Sequence, residues 1–209
     1  MSDKGIRLVE ADQKRQVDRI HRLYREAFPA AERKPFFLIR RKAREGVTEM
    51  LSIEDEDGTF LGLAITMLDG DIVLLDYFAI EPACRESGVG SSAFALLKKR
   101  YESKRFILEI ENTAMEYIEA AAAKKGAVGA RQKEKPEQIQ KLRLRRKSFY
   151  LRNGMTPLPF SVNLFGVDME VLSCGCSVTF VEYRKIYEHV YGNLAGRNIR
   201  FIKEIPLDA

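Results

Sequence analysis

The sequence is poor in several residue types, and each shortage narrows what the chain can be. Its 209 residues include no tryptophan, two histidines and three cysteines. An odd number of cysteines argues against a disulfide framework, and Cys174 and Cys176 are too close together to form a staple by themselves. A metal site on this Cys-x-Cys sequence lacks further ligands, because His21 and His189 each sit at helical spacing among apolar residues. We therefore expect neither a disulfide scaffold nor a metal protein.

Long apolar runs are also absent. No stretch approaches the roughly 20 apolar residues that cross a membrane, and residues 1–4 lead into no hydrophobic signal region. The hydrophobic fraction of 45% is still ample for a buried core. These features predict a soluble cytoplasmic protein that forms a single domain over residues 1–209.

The excess of positive over negative charge in the sequence is small. Lysine and arginine number 35 against 30 aspartates and glutamates, which gives a formal charge of +5. The densest basic run, residues 141–147, alternates with leucines as an amphipathic helix does. Such a run forms either a solvated helix face or a contact for an anionic ligand. Nucleic acid is the least favoured partner, because no aromatic platform, zinc pattern or helix-turn-helix signature accompanies the run.

The first half of the chain has the pattern of a strand meander. Short turns at Asp57-Gly58 and at residues 69–71 separate apolar segments, which predict antiparallel strands at residues 47–53, 59–68 and 72–80. A helix over residues 91–101 then leads to a strand over residues 106–110. Strands joined by a helix in this way are normally parallel. We therefore predict an α+β fold with a mixed sheet, an antiparallel N-terminal meander and one parallel strand-helix-strand crossover.

The second half alternates helices and strands less regularly. Residues 113–135 look like an insertion that starts as a helix and continues through a glycine-containing, polar stretch. A helix then begins at Pro136 and ends at Asn153-Gly154. The remaining pattern predicts two strands, a helix and a last strand, at residues 160–167, 169–173, 179–191 and 199–205.

The most informative segment is residues 78–91, where an apolar strand passes through a short loop into a glycine-rich helix start. The N–H groups at a helix start lack internal partners, and the peptide dipoles make this end partly positive. Gly88 and Gly90 allow an anion to approach the backbone closely, and Arg85 adds a cation three residues before Gly88. This combination predicts a phosphate-binding loop.

A dinucleotide-binding loop is the main alternative from spacing. Gly88-x-Gly90-x-x-Ala93 satisfies a relaxed fingerprint, and Glu109 and Glu111 lie near the distance of a ribose-binding acid. In that fold, however, the first glycine follows the strand directly, whereas seven residues separate Ile80 from the first glycine here. The meander also disagrees with the repeated strand-helix alternation of that fold. A P-loop is excluded, because the chain has no Gly-x-x-x-x-Gly-Lys-Ser/Thr sequence.

With its strand, its Arg-x-x-Gly-x-Gly loop and its helix, the chain resembles the GNAT family of acetyl-CoA-dependent N-acetyltransferases. A second match is Ser148-Phe149-Tyr150-Leu151-Arg152-Asn153-Gly154-Met155, which resembles the late helix of that family. The resemblance covers residues 47–155 and implies an acyl-CoA N-acyltransferase-like fold. Two departures are the long segment over residues 113–135 and Met155, where the family often has an aromatic residue.

The resemblance implies a role for each motif, with acetyl-CoA as co-substrate. Backbone groups of Phe78, Ala79 and Ile80 would pair with the pantetheine arm and the acyl carbonyl. The pyrophosphate would be held by Arg85 and by the N–H groups of Gly88, Val89, Gly90 and Ser91. Tyr150 would face the thioester sulfur and stabilise or protonate the leaving thiolate, whereas spacing alone favours a core aromatic at the end of a helix.

The general base is left open by the sequence. Glu109 and Glu111 share one face of their strand, because side chains alternate with period two, and either could take the proton of the amine through water. Each could instead be paired with a surface lysine or arginine. Asp76 is unusual inside an apolar strand and is a further carboxylate to examine, whereas Asn112 is expected to cap the next segment.

The sequence contains no motif that identifies the acceptor. A small-molecule amine is favoured, with a protein acceptor as the alternative, and a homodimer is an open alternative to a monomer. A non-catalytic module that senses acyl-CoA would retain Arg85 and the glycines without needing Tyr150. A dinucleotide-dependent oxidoreductase is the third and least favoured hypothesis.

Overall fold

The structure is a computed structural model that describes residues 5–125 and 135–204. Residues 126–134, which belong to the expected insertion, lie outside the described residues. The chain divides into two compact units, Met1–Phe106 and Ile107–Ala209. Each unit is described by itself.

The first unit is built on the predicted meander. Consecutive strands pair antiparallel in chain order, namely β1 (Ile6–Glu10), β2 (Thr48–Asp55), β3 (Phe60–Asp69) and β4 (Ile72–Ile80). The turn between β2 and β3 closes where the Gly58 N–H donates to the carbonyl of Asp55 at 3.1 Å. The predicted strands and their Asp-Gly turn are therefore confirmed.

Helices cover both faces of this sheet. On one face lie α1 (Lys14–Ala27) and α2 (Phe36–Arg44), which bury Tyr77 and Ala79 of β4 against residues such as Ile20 and Ile39. On the other face lies α3 (Val89–Arg100), whose Ala93 belongs to a core packed against Phe78 and Ile80. Cover on both faces explains why β4 is almost continuously apolar.

A β-bulge interrupts the pairing of β3 with β4. Ile65 lies opposite Tyr77 and Thr66 lies opposite Leu75, which leaves Asp76 as the extra residue of β4. A bulge redirects the side chain that it carries. Asp76 contacts Lys34 from the connection between α1 and α2.

Tyrosine hydroxyls fasten that connection to the core. The Tyr24 hydroxyl donates to the Lys34 carbonyl at 2.9 Å, and the Lys34 N–H donates to the Tyr77 hydroxyl at 3.1 Å. The Tyr77 hydroxyl in turn donates to the carbonyl of Glu32 at 2.9 Å. The backbone of residues 32–34 is therefore held by side chains of α1 and β4.

After α3 the chain returns to the end of the sheet where β4 begins. The next strand, β5 (Arg105–Glu111), starts with an N–H···O bond of 2.8 Å from Arg105 to Asp71, and the two side chains pair at 2.7 Å. This return is the parallel strand-helix-strand crossover that the sequence predicts, and it makes the fold mixed.

The second unit contains an antiparallel arrangement of β5, β6 (Thr156–Leu164), β7 (Val167–Ser173) and β8 (Ile199–Glu204), in the order β5-β7-β6-β8. Its helices are α4 (Met115–Lys125), α5 (Pro136–Arg152), α6 (Phe180–Tyr191) and α7 (Asn193–Arg197). The described part of the expected insertion is thus α4, whereas α7 is a short helix that the sequence pattern does not predict.

The start of β6 differs from the prediction. The strand begins at Thr156 rather than near residue 160, and it includes Pro157 and Pro159. Proline cannot donate a ladder hydrogen bond, so prolines normally indicate a strand boundary. Here the register with β7 is irregular between Pro157 and Ser161, which accommodates both of them.

Candidate active site

The turn after β4 is ordered by its own hydrogen bonds. A short 3-10 turn over Pro82–Cys84 is followed by Arg85, whose N–H donates to the carbonyl of Pro82 at 3.3 Å. The Ser87 hydroxyl donates to the Cys84 carbonyl at 2.7 Å. Residues 85–88 are exposed, and Glu86 adopts a positive φ of 63°. The loop therefore presents a defined backbone to solvent.

Helix α3 begins with N–H groups that precede its hydrogen-bond ladder. The first intrahelical bond is donated by Ser92 to the carbonyl of Gly88 at 3.1 Å. The N–H groups of Gly88, Val89 and Gly90 come before this bond, at the positive end of the helix dipole. Gly88 has φ +86°, while a Cβ there would meet open space. Glycine is thus required by backbone conformation and not by lack of room.

Arg85 supplies a fixed cation beside this helix start. Its Nε donates to the carbonyl of Ile80 at 3.1 Å, which ties the side chain to the end of β4. Within residues 5–125 and 135–204 it forms no ion pair. The two terminal nitrogens of the guanidinium therefore remain available to an anion.

The end of β4 is held closely by β3. Leu63 lies opposite Ala79, and Gly62 lies opposite Ile80. A Cβ on Gly62 would lie 2.4 Å from the Ala79 carbonyl oxygen, so only glycine permits this approach of the strands. The backbone of residues 78–80 consequently has little freedom to shift.

Tyr150 lies near the end of α5 and is buried, with 8% of its surface exposed. Its ring packs edge-on against Phe149 at 5.2 Å between centroids. The helix ends where the N–H groups of Asn153 and Met155 donate to the Tyr150 carbonyl, both at 3.1 Å. Burial raises the pKa of Tyr150 to about 12, although Arg146 acts in the opposite direction. The phenol therefore keeps its proton at neutral pH.

Glu109 faces helix α6. One carboxylate oxygen, Oε1, accepts hydrogen bonds from the Tyr183 hydroxyl at 2.5 Å and from the Tyr187 hydroxyl at 2.7 Å. Both tyrosines are fully buried. Phenol donors stabilise the charged form of a carboxylate. The orientation of Glu109 is thus fixed by two residues that the sequence analysis does not connect with it.

Glu111 faces helix α5 instead. Its carboxylate pairs with Arg143 at 3.6 Å and with Arg146 at a shorter distance. Arg143 also donates to the carbonyl of Asn112 at 2.7 Å. The Asn112 side chain accepts from the Ala114 N–H at 2.9 Å, which is the capping role expected of it. For Glu111 the contacts are those of the alternative interpretation, a carboxylate paired with arginine.

A third carboxylate of the second unit, Glu170, was not singled out by the sequence pattern. It is 6% exposed and accepts hydrogen bonds from the N–H and hydroxyl of Thr113, at 3.1 and 2.8 Å. The Lys147 ammonium pairs with the other carboxylate oxygen of Glu170, Oε2, at 2.5 Å. Lys147, Arg143 and Arg146 of the basic run therefore neutralise carboxylates of their own unit. The sequence predicts a solvated helix face or a contact for an anionic ligand, and for these three residues the structure shows pairing with carboxylates instead.

The bulge residue Asp76 is a buried carboxylate of the first unit with only one of its two oxygens paired in the described part of the chain. Its Oδ1 pairs with the Lys34 ammonium at 2.5 Å, and its side chain is 5% exposed. Among the described residues, its other oxygen, Oδ2, has no hydrogen-bond partner. A buried acceptor without a donor is costly and points to a group that the fold does not itself provide.

Two negative findings apply to the described ranges of the chain. They contain no group of three or more histidine, cysteine, aspartate and glutamate side chains that could hold a metal ion. No helix in them is both long and apolar enough to cross a membrane.

Neither the known protein families nor the curated proteins give a match to the sequence. Solved structures do match. An acetyltransferase of the GNAT family from Bacteroides thetaiotaomicron is 18% identical, with a TM-score of 0.64 over 92% of this chain and 98% of that protein. The ribosomal-protein-S18-alanine N-acetyltransferase of Escherichia coli is 15% identical, with a TM-score of 0.53 over 84% of this chain and 96% of its own length.

A third similar structure is a chimera of the Vibrio cholerae and human spermidine N-acetyltransferases. It is 13% identical and gives a TM-score of 0.54 over 80% of this chain and 93% of its own length. Structural similarity at such low sequence identity is evidence for the fold alone. The mixed sheet, the crossover through α3 and these neighbours agree, and the chain has the acyl-CoA N-acyltransferase fold of the GNAT acetyltransferases.

Proposed function

We propose that the protein is an N-acetyltransferase of the GNAT type, which transfers an acetyl group from acetyl-CoA to a primary amine. The observation that carries the proposal is the exposed start of α3, with Gly88 at positive φ and Arg85 free of any ion pair among the described residues. The shared fold supports the same function.

The chain offers what a diphosphate needs. Such a group requires several convergent N–H donors, a cation and a backbone that it can approach closely. We assign the donors to Gly88, Val89, Gly90 and Ser91, and the cation to Arg85. The backbone of Phe78, Ala79 and Ile80 would pair with the pantetheine arm.

Acetyl transfer needs an uncharged amine and a stabilised leaving group. The amine nitrogen attacks the thioester carbonyl carbon, a C–N bond forms and the C–S bond breaks, and the sulfur leaves with the electron pair. With a pKa of about 12 for Tyr150 and about 8.5 for a thiol, full proton transfer to the thiolate is uphill by about 5 kcal/mol. Tyr150 therefore acts as a hydrogen-bond donor to the sulfur rather than as a complete proton donor.

The amine must also lose a proton, and three carboxylates are candidates for its base. Glu109 and Glu111 are the candidates from the alternation of side chains along β5, acting through water. Asp76 joins them because its Oδ2 lacks a partner in the described part of the chain. Glu109→Gln, Glu111→Gln and Asp76→Asn should be compared by the pH dependence of kcat/KM. Loss of the true base should abolish the acidic limb of that profile, whereas loss of a structural carboxylate should leave its shape unchanged.

The acceptor is proposed only as a class. One structural neighbour is a spermidine acetyltransferase and another acts on a ribosomal protein, as their names state. A small-molecule amine remains the favoured acceptor for this chain, with a protein amine as the alternative. The protein is proposed to work in the cytoplasm, and its assembly remains open between monomer and homodimer.

Two measurements test this function. Thermal unfolding should shift upward with coenzyme A or acetyl-CoA and not with NADH, because a ligand held only by the folded state stabilises it by mass action. Release of free thiol from acetyl-CoA should then be followed with a panel of amines. Stabilisation by NADH alone would favour the oxidoreductase hypothesis. Stabilisation by acetyl-CoA with no amine-dependent thiol release would favour the acyl-CoA sensor.

A further inference from the structure

A surface cavity of about 540 Å³ opens beside α1 and the connection that leads to α2. None of the residues proposed to bind coenzyme A lines it. Its walls are formed by Asp18, His21, Arg22, Arg25, Glu26 and Arg33.

The arginines of this cavity differ in how they are paired. Arg22 is engaged, because it pairs with Glu26 at 3.2 Å and more closely with Glu81. Arg25 and Arg33 have no ion pair or hydrogen bond within residues 5–125 and 135–204. Clustered guanidinium groups repel one another unless an anion lies between them. The cavity therefore has two unpaired cations for its one remaining carboxylate, that of Asp18.

The pKa of His21 is sensitive to the positive charge of the cavity. Burial lowers its pKa, Arg25 lowers it next, and Arg33 and Arg40 lower it further, while Asp18 acts in the opposite direction. Its ring is stacked on Phe36, with 4.2 Å between centroids and 12° between planes. The imidazole therefore packs on an aromatic ring, and its surroundings favour the neutral form over the imidazolium.

The pairing of Arg22 with Glu81 connects this cavity to the proposed reaction site. Glu81 directly follows β4, and its N–H donates to the Leu61 carbonyl at 2.8 Å. The wall of the cavity is thus fastened to the end of the strand whose backbone would hold the acyl arm. A molecule seated there would lie beside the turn that carries Arg85.

We infer that Arg25 and Arg33 bind a carboxylate or phosphate group of the acceptor, so that the substrates are amines that also carry an anionic group. That this anionic group belongs to the acceptor rests on the proposed function, whereas the anion site itself does not. Guanidinium groups suit both oxyanions, because they donate two parallel hydrogen bonds.

The anion site is tested without any catalysis. Only two histidines occur in the chain, so the imidazole C–H signals in an NMR spectrum are few, and His189→Gln assigns them. Titration with inorganic phosphate, against sodium chloride at equal ionic strength, should move the His21 signals and raise the pKa of His21. The signals of His189 should stay in place.

Variants decide whether the arginines cause this response. Arg25→Gln and Arg33→Gln should each weaken the phosphate response by about tenfold. Arg44→Gln removes the same charge from an exposed position of α2 outside the cavity and serves as the matched control. Arg33→Lys keeps the charge and should retain part of the response, which guards against a variant that folds poorly. The inference is wrong if His21 does not respond, or if the cavity variants respond as the control does.

Matched acceptors then test the substrate class. β-Alanine is compared with its carboxamide, and phosphoethanolamine with ethanolamine, which separates carboxylate from phosphate. The charged member of at least one pair should have a kcat/KM about tenfold higher, and Arg33→Gln should remove that preference through KM.

The outcomes distinguish this inference from the proposed function. Equal use of charged and neutral amines would overturn the inference while leaving acetyl transfer intact. A His21 response to phosphate without thiol release from any amine would overturn the acetyltransferase proposal and retain the anion site.

Discussion

Two regions of this protein are candidates from the sequence for binding an anion, and the structure treats their cations differently. In α5, Arg143, Arg146 and Lys147 all pair with carboxylates of their own unit. In the turn after β4, Arg85 is a single arginine among glycines and has no ion pair in the described part of the chain. In the denser run, Arg143, Arg146 and Lys147 are the cations that the fold already pairs.

The difference teaches that a cation is available to a ligand only where the fold provides no carboxylate for it. Glu170 is nearly inaccessible to water, so its charge requires a partner, and Lys147 supplies it. The isolated Arg85 is instead anchored by a neutral carbonyl, which leaves its charge uncompensated. Each variant below tests this division between binding and structural charge.

Tyr150→Phe should have the largest effect, because it removes the hydroxyl that is proposed to donate a hydrogen bond to the leaving sulfur. The variant tests whether α5 contributes through this phenol or through its charged residues. We expect kcat to fall about 100-fold, while the Kd for acetyl-CoA changes less than twofold. Steady-state thiol release and calorimetric titration measure the two quantities. Tyr117→Phe on α4 is the control, and unchanged turnover in Tyr150→Phe would remove the assigned role.

The pH profile sharpens the same prediction. Since burial raises the pKa of Tyr150 to about 12, the phenol stays protonated as pH rises through neutrality. Turnover should therefore increase as the amine loses its proton, with no loss due to Tyr150 until the pH approaches its raised pKa. A fall that begins near pH 9 in the wild type and is absent in Tyr150→Phe would contradict this assignment.

Arg85→Ala should weaken coenzyme A binding by about 30-fold, equivalent to about 2 kcal/mol for a charge-assisted contact. The free energy of unfolding should change by less than about 0.5 kcal/mol, because the side chain is exposed. Arg145→Ala, from the basic run, is the matched control and should leave the Kd unchanged. Equal losses in both variants would break the comparison between the two regions.

Lys147→Met should act on stability and not on binding. It leaves the buried Glu170 without its cation, and we expect the free energy of unfolding to fall by about 2 kcal/mol. Urea denaturation measures this change, with Arg145→Met as the control. A stable Lys147→Met protein that has lost affinity for coenzyme A would instead show that the basic run binds the ligand.

Gly88→Ala should have the smallest effect. An alanine at φ +86° is strained by about 1–2 kcal/mol, and the helix start must shift to relieve it, so the affinity for coenzyme A should fall several-fold. Gly70→Ala introduces similar strain in the turn between β3 and β4, at φ +57°. It should lower the melting temperature comparably while the Kd for coenzyme A stays constant.

Much of the first unit could be predicted because its signals are local. The Asp-Gly turn, the continuous apolar run of β4 and the glycine helix start each depend on a few neighbouring residues. The bulge at Asp76 could not be predicted, because β4 is apolar almost throughout and has no alternation whose phase an extra residue would visibly shift.

The second unit shows where sequence reasoning ends. Period two predicts that Glu109 and Glu111 share one face of β5, and in the structure Glu109 contacts α6 while Glu111 contacts α5. Their partners could not be foreseen, because Tyr183 and Tyr187 lie 74 and 78 residues along the chain from Glu109. Long-range packing therefore decides which carboxylates are held by phenols and which by guanidinium groups. The roles of Tyr150, Glu109 and Glu111 remain predictions.

The connection between α1 and α2 has a consequence for motion near the end of β4. Although it carries Pro29 and Pro35 and looks like an ordinary loop, Tyr24 and Tyr77 bind its backbone at residues 32 and 34. Opening it would break three hydrogen bonds and the Lys34–Asp76 pair together. The Lys34 amide should accordingly exchange with deuterium as slowly as the core strands, so that this segment serves as an immobile wall and not as a hinged cover.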